Sequence, residues 1–161
     1  MSKIMRSFIR SILVGLFALW GHLAQADLTV TATQSGNVNS FVLSIDELKA
    51  LPQSKIDTSN SFVSGTNSFT GPSFATILDA LDISMVDEGV FIAANDYQVT
   101  ISISELIKYD AVLAMSMNGE MLSIRDKGPL WVIYPMDDHE ELQDPRFNDR
   151  LIWQLVRIDL R

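Results

Sequence analysis

The sequence predicts a single α+β domain in which strands are more numerous than helices. Short runs rich in β-branched and aromatic residues recur along residues 27–161 and are separated by turn signals. Only one segment shows a clear helical periodicity. No internal repeat, low-complexity tract or proline-rich linker divides the chain, which is long enough to bury one core.

Residues 1–26 are predicted to be a signal peptide and not part of the fold. Lys3, Arg6 and Arg10 precede the apolar run SILVGLFALWGHL, which ends in AQA. A run of about 13 residues is shorter than the roughly 20 needed to cross a bilayer. Because the leader has no adjacent arginine pair, we expect Sec-type export with cleavage after Ala26. The mature chain, residues 27–161, would then be periplasmic or secreted, without membrane insertion.

Charge and composition exclude several classes of function. The leader holds three of the 12 Lys and Arg residues and none of the 20 Asp and Glu residues. Residues 27–161 therefore carry nine basic and 20 acidic residues, a net charge of −11. Such a surface repels nucleic acid and anionic lipid. The sequence contains no cysteine, which excludes disulfides, thiol catalysis and thiolate metal ligands.

The first half of the domain is predicted to contain two strands followed by two helices. LTVTAT (28–33) and SFVLS (40–44) alternate and are predicted strands. Ser44 and Glu47 form a capping-box pattern for the helix IDELKAL, and Pro52 ends it. The polar stretch QSKIDTSNSFVSGTNS is assigned no element.

The segment GPSFATILDALDI is predicted to be the clearest helix. Pro72 suits a first helical position. Apolar residues then recur at i, i+3, i+4 and i+7, which places one apolar stripe on the helix. These residues are Phe74, Ile77, Leu78 and Leu81.

The second half is predicted to be mostly β. Strands at 89–95 and 97–103 flank Asn95 and Asp96, and Ser102 or Ser104 begins a short helical turn, ELIKYD. Asn118-Gly119 joins AVLAMSM to EMLSI in a two-residue hairpin. LWVIY (130–134) and LIWQLVRIDL (151–160) complete the strands. In the last strand, Ile152, Val156 and Ile158 are predicted to lie on one face, and Leu151, Trp153 and Leu155 on the other.

Two clusters of potential metal ligands are interpreted as structural. His139 is the single histidine of residues 27–161 and lies in the acidic stretch MDDHEELQD, whose spacing is not that of an EF-hand. We predict a solvated loop there, with a cation site as the alternative. Met115, Met117 and Met121 could suggest a copper site, but Met121 pairs opposite Ser116 and points to the other face. We predict that they fill the core.

The turn SIRDKGP is a candidate ligand site. Arg125 and Lys127 are two of the nine basic residues, and Gly128 beside them would let a ligand approach the backbone. A phosphate or carboxylate would suit this turn. The alternative is a plain strand connection.

Five segments in order resemble the sulfite-oxidase family of molybdopterin-binding domains, and the chain is similar to the short exported members of that superfamily. The segments are FTGPSFATILDALDI, AANDYQVTI, AVLAMSMNGEML, KGPLWVIYP and LIWQLVRIDL. The resemblance covers about residues 69 to 160, with weaker similarity back to SIDELKALP. It implies a β-rich sulfite-oxidase-like molybdopterin-binding fold, with a pterin against loops at the strand ends.

The same resemblance implies a molybdenum-binding cysteine ahead of the F-x-G-P-x helix, and this chain lacks it. The stretch KIDTSNSFVSGTNSFTGP offers serines such as Ser61 or Ser64, and a hydroxyl is a weak ligand for a soft metal. The resemblance further implies that enzymes carrying the cofactor are longer and are exported already folded through the twin-arginine route, whereas this chain is short and has a predicted Sec-type leader. No cofactor is therefore expected, and molybdopterin is implied by the resemblance only.

Three hypotheses of function follow. The first is a non-catalytic, exported accessory or sensory component that binds a small anionic ligand or a periplasmic or membrane protein partner. The second is a minimal molybdopterin-dependent oxidoreductase without thiolate ligation. The third is an interaction protein with an aromatic patch and no pocket. For the first, the predicted binding residues are Asn95, Asp96, Tyr97, Arg125, Lys127, Gly128, Tyr134 and Trp153.

Overall fold

A computed structural model describes residues 27–161 and shows a β-rich α+β domain with three sheets. The predicted leader and its cleavage site lie outside the described residues. The strands are β1 (Leu28–Gln34), β2 (Asn37–Leu43), β3 (Ser54–Asn60), β4 (Val63–Gly71), β5 (Glu88–Ala93), β6 (Gln98–Ser102), β7 (Val112–Ala114), β8 (Ser116–Met117), β9 (Glu120–Met121), β10 (Trp131–Ile133) and β11 (Leu155–Leu160). The helices are α1 (Ile45–Ala50), α2 (Phe74–Ala80), α3 (Ile103–Lys108) and the 3₁₀ helices Glu140–Gln143 and Pro145–Arg150. Within residues 27–161, no helix is long and apolar enough to cross a membrane.

The largest sheet has five strands in the order β2-β1-β11-β5-β6. Only the β1–β11 pair is parallel, so the two ends of the described chain meet in the centre of the sheet. The other neighbours are antiparallel, and β5 and β6 form a hairpin. A second sheet has the order β3-β4-β8-β9, and β10 pairs with β7 in a third.

The two-stranded sheet lies between two hydrophobic clusters. Leu113 and Val132 pack into the large cluster that lines the five-stranded sheet. Their neighbours Val112, Ala114 and Trp131 pack into the smaller cluster against β3 and β4. Burial on both faces explains why these strands are continuous apolar runs without polar alternation.

Several local predictions are confirmed. Ser44 and Glu47 form the capping box, with the Ser44 amide donating to the Glu47 carboxylate at 2.8 Å. Asn118 and Gly119 have φ of 53° and 84°, as a two-residue hairpin turn requires. Met121 pairs with Ser116 and Met115 is buried in the core, as predicted, but Met121 is 51% exposed and does not fill the core, so that part of the prediction is wrong.

Other local predictions are wrong. The helix of FATILDA begins at Phe74 with Ser73 as its N-cap, so Pro72 precedes the helix. The last strand begins at Leu155 and not at residue 151, and a bulge between Leu155 and Arg157 breaks the predicted alternation of faces. The polar stretch assigned no element contains β3 and most of β4.

Candidate functional site

A cleft of about 280 Å³ lies where three segments of the fold meet. The connection between β3 and β4 contributes Phe62, the turn between β5 and β6 contributes Asn95 and Tyr97, and the segment before β11 contributes residues 148–149 and 151–153. Its lining residues are Phe62, Ala93, Asn95, Tyr97, Asn148, Asp149, Leu151, Ile152 and Trp153.

Three aromatic residues line the cleft. The Phe62 and Trp153 rings meet edge to face with centroids 4.9 Å apart, and Trp153 in turn contacts the buried Trp131 ring. Phe62 packs against both hydrophobic clusters, so the cleft lies at the junction of the two cores. Tyr97 is 44% exposed and offers its ring to a ligand.

Hydrogen bonds hold Asn95 and Tyr97 in place. The Asn95 side chain accepts from the Tyr97 amide at 3.1 Å, an Asx turn that the left-handed Asp96 (φ 65°) completes. The Tyr97 hydroxyl donates to the Asp149 carbonyl at 3.3 Å. Partial burial, together with the negative charge of Asp149, raises the pKa of Tyr97. The phenol therefore stays neutral at physiological pH.

The 3₁₀ helix Pro145–Arg150 forms the wall of the cleft that carries Asn148 and Asp149. Asp144 begins the 3₁₀ helix Pro145–Arg150 by accepting from the Arg146 amide at 2.9 Å. Hydrogen bonds from the Arg146 guanidinium and amide hold the pKa of Asp144 at about 2. At the other end of the helix, Arg150 donates to Glu105 at 2.7 Å.

Tyr134 is linked to this wall through Glu105, which also binds Arg150, and it does not line the cleft. Its side chain is fully buried, and its hydroxyl donates to the Glu105 carboxylate at 2.9 Å, next to the Arg150 guanidinium. Burial, reinforced by the charge of Glu105, raises the pKa of Tyr134 well above its usual value. The predicted pair of Tyr134 with Trp153 is therefore not brought together.

The Arg125–Gly128 turn is held by hydrogen bonds to the neighbouring residue Ser123. The amides of Asp126 and Gly128 both donate to the Ser123 carbonyl, and the Arg125 amide donates to the Ser123 hydroxyl. Lys127 bonds Asp126 at 3.1 Å, and its ammonium lies 5.6 Å from the Trp131 ring centroid. An added Cβ on Gly128 would overlap the Leu122 carbonyl. The space beside Gly128 is thus filled by the protein itself.

The structure brings together three of the eight predicted residues, Asn95, Tyr97 and Trp153, as lining of one cleft, with Asp96 in the adjoining turn. Their role in binding stays a prediction. Phe62, Asn148 and Asp149 also line the cleft and were not among the predicted residues. An aromatic residue in the middle of a polar stretch was the available signal for Phe62, and Asp144 followed by Pro145, a typical helix start, was the available signal for the 3₁₀ helix that carries the other two.

A second, more polar groove of about 620 Å³ lies beside His139. Its lysines already have anionic partners: Lys55 lies 3.2 Å from Asp57, and Lys108 lies 3.5 Å from Glu141. The His139 ring packs edge to face on Tyr109 with centroids 5.0 Å apart. Both lysines of the groove are therefore paired, and Asp137, Asp138, Glu140 and Glu141 of the loop are exposed to solvent, as predicted.

In the β3–β4 hairpin, where the family resemblance implies a metal-binding cysteine, the hydroxyls of Ser59 and Ser61 bond within the protein and Ser64 is exposed. Ser59 Oγ donates to Asp137 at 2.6 Å, and Ser61 Oγ donates to Asn148 at 3.1 Å. Across residues 27–161, no group of three or more His, Cys, Asp or Glu side chains is arranged to hold a metal ion. With neither a thiolate nor such a cluster, these residues do not fit a molybdenum centre.

The fold is that of a sulfite-oxidase-type molybdopterin-binding domain. The family described as "Oxidoreductase molybdopterin binding domain" matches residues 24–137, more than half of the sequence. The chain belongs to this family, which confirms the predicted fold class.

Among solved structures, the sulfane dehydrogenase SoxCD from Paracoccus pantotrophus is similar, with a TM-score of 0.61 and 11% sequence identity. The match covers 86% of this chain but only 39% of the SoxCD chain. At this identity the likeness shows the fold alone. A search of curated proteins finds no match.

Proposed function

We propose that this chain is an exported, non-catalytic member of the sulfite-oxidase-type family that binds a small ligand in the aromatic cleft. It would act as an accessory or sensory component, passing the presence of the ligand to a protein partner in the periplasm or membrane. The proposal of export is based on the sequence of residues 1–26. The proposal that the protein is not a catalyst is based on the β3–β4 hairpin, which has hydroxyl groups and no thiolate to bind a metal.

One observation carries the proposal. The cleft is concave, is lined by three aromatic side chains, and adjoins the β3–β4 hairpin, which has no cysteine where the resemblance implies a thiolate. Concave, mostly apolar sites with a few polar groups are typical of small-ligand binding. A protein that only presented an aromatic patch to a partner would not need such a cavity, so the cleft favours the ligand hypothesis over that of a purely structural protein.

Metal analysis and a ligand screen test the proposal. Protein purified from its native host should contain far less than one molybdenum per chain and show no pterin fluorescence. In a thermal-shift screen of pterins, nucleotides, amines and small anions, at least one compound should raise Tm, and Tyr97→Leu should weaken that shift because it removes a cleft ring. The Tyr97 side chain is half-exposed, so this variant should keep the fold.

Two results would contradict the proposal in different ways. One tightly bound molybdenum per chain with a pterin would establish the minimal oxidoreductase instead. Binding unaffected by Tyr97→Leu would move the site away from the cleft.

A further inference from the structure

The ionisable groups of the cleft favour a cation. Among its nine lining residues the single carboxylate is Asp149, and no Lys, Arg or His belongs to the lining. Arg150, the neighbour of Asp149 in the chain, is directed to Glu105 and lies over the Phe147 ring at 4.9 Å. Lys127 is held by Asp126 and Trp131. An anion entering this cleft would meet a carboxylate and no cation from the lining.

The aromatic surface favours the same charge. Trp, Tyr and Phe rings present a negative face that attracts alkylammonium groups, and aromatic sites of this composition recognise quaternary ammonium ligands. Phe62, Trp153 and Tyr97 supply one ring of each kind within a single cavity. A quaternary ammonium needs no hydrogen-bond acceptor, so it can lie against rings without leaving a donor unpaired.

The side-chain amides of Asn95 and Asn148 can donate hydrogen bonds to an oxygen atom of the same ligand. Asn95 Oδ1 accepts from the Tyr97 amide, and Asn148 Oδ1 accepts from Ser61. These bonds orient each carbonyl oxygen toward the protein, which leaves the amide NH₂ groups as donors. The cavity of about 280 Å³ accommodates only a small molecule.

We infer that the cleft binds a small quaternary or other alkylammonium compound that carries one hydroxyl or carbonyl oxygen. This inference rests on the proposed function and gives it a ligand class. It differs from the anionic ligand expected from the sequence, because the Arg125–Gly128 turn that motivated an anion directs its amides inward and does not line the cleft.

Calorimetric titration with three probes tests the charge preference. Choline supplies the cation and the hydroxyl, 3,3-dimethylbutan-1-ol is its neutral analogue of the same shape, and sulfate represents the anions. Choline should bind about tenfold more tightly than the neutral analogue, since a cation–π contribution of this size is typical of partly desolvated sites. Sulfate should not compete with choline.

Two variants locate the effect. Asp149→Asn should weaken choline binding by up to about fivefold and leave the neutral analogue unchanged, because it removes only the charge. Tyr97→Leu should weaken both. Asp79→Asn, an exposed carboxylate of α2 outside the cleft, is the matched control and should change neither.

The outcomes separate the inference from the proposed function. Equal affinity for choline and its neutral analogue, or no choline binding, overturns the inference. Displacement of choline by sulfate also overturns it, because the cleft would then accept an anion. If any other compound binds and Tyr97→Leu weakens it, the proposed function stands even though the cation preference is wrong.

Discussion

Gly128 was predicted to leave room for a ligand, but the structure shows that it is needed for close packing of the turn. A glycine beside Arg125 and Lys127 suggested an open approach for a ligand, but in the structure the Leu122 carbonyl occupies the space where a Cβ would lie. The Gly128 amide donates to the Ser123 carbonyl at 2.8 Å, which fixes the turn. Gly128 is therefore explained by close packing of the turn on residues 122–123.

Replacing Gly128 with Ala should lower the free energy of unfolding by about 1–3 kcal/mol, because the added methyl group forces the backbone of the turn to shift. Urea denaturation followed by tryptophan fluorescence measures this loss. Calorimetry on the same variant, below its unfolding transition, should show cleft ligands binding with unchanged affinity. Normal stability with weakened binding would instead mean that a ligand approaches the backbone at Gly128.

Among the secondary-structure elements, the 3₁₀ helix Pro145–Arg150 decides where Asn148 and Asp149 lie. Its first turn depends on Asp144, whose carboxylate accepts from the Arg146 amide and from the guanidinium at 2.7 Å. These bonds to the ionised form lower its pKa from the ordinary 3.8 to about 2. A lowered carboxylate pKa stabilises the folded state fully above the unfolded-state value, and this stabilisation is lost as the pH falls through the folded-state value.

The pH dependence of Asp144→Asn should follow from this shift. At pH 5–7 the variant should unfold at a lower urea concentration than the wild type, and the difference should shrink between about pH 3.8 and pH 2. Asp79→Asn, an exposed carboxylate of α2 whose side chain makes no hydrogen bond among the described residues, is the control for the substitution itself. A constant difference for Asp144→Asn down to pH 2 would mean that the ionised carboxylate is not what holds this turn.

The strands and helices that sequence analysis identified are those whose signals are local. A capping box at Ser44 and the Asn118-Gly119 turn involve residues close in sequence, and both are present as predicted. The strands β3 and β4 were missed because their inward positions include polar residues. Thr58 and Asn67 are buried there. Their donors bond to nearby backbone carbonyls, and their oxygens accept from the Asp137 amide and the Asn118 side chain.

The candidate site was only partly predictable for a related reason. Asn95 and Tyr97 belong to a turn that a hairpin pattern announces, and Trp153 meets them because β11 pairs with β5. Tyr134 seemed equally suitable by residue type, but its strand is buried on both faces. Which aromatic side chain reaches the surface depends on the order of strands in the sheets. That order is set by contacts between residues far apart in the sequence, so local sequence patterns do not reveal it.

At the scale of the whole molecule, the cleft lies at the junction between the two cores. Phe62 packs against both clusters, and the segment carrying Trp153 links β10 to β11 through the Val132–Ile152 hydrogen bond. A ligand held there would contact segments from both halves of the domain. Binding should therefore stabilise the domain as a unit, by an amount set by ligand concentration relative to Kd.

The net charge of −11 on residues 27–161 adds a long-range contribution to cation binding that the local geometry does not contain. The field of the whole chain reaches about 30 Å at 0.01 M salt but only about 3 Å at 1 M. Choline affinity should therefore fall severalfold across this range, whereas the affinity of 3,3-dimethylbutan-1-ol should stay nearly constant. Asp149→Asn should retain most of the salt dependence, because the other acidic residues produce the long-range field. Calorimetric titrations at four salt concentrations measure both slopes, and equal slopes for the charged and the neutral probe would show that the acidic surface has no part in recognition.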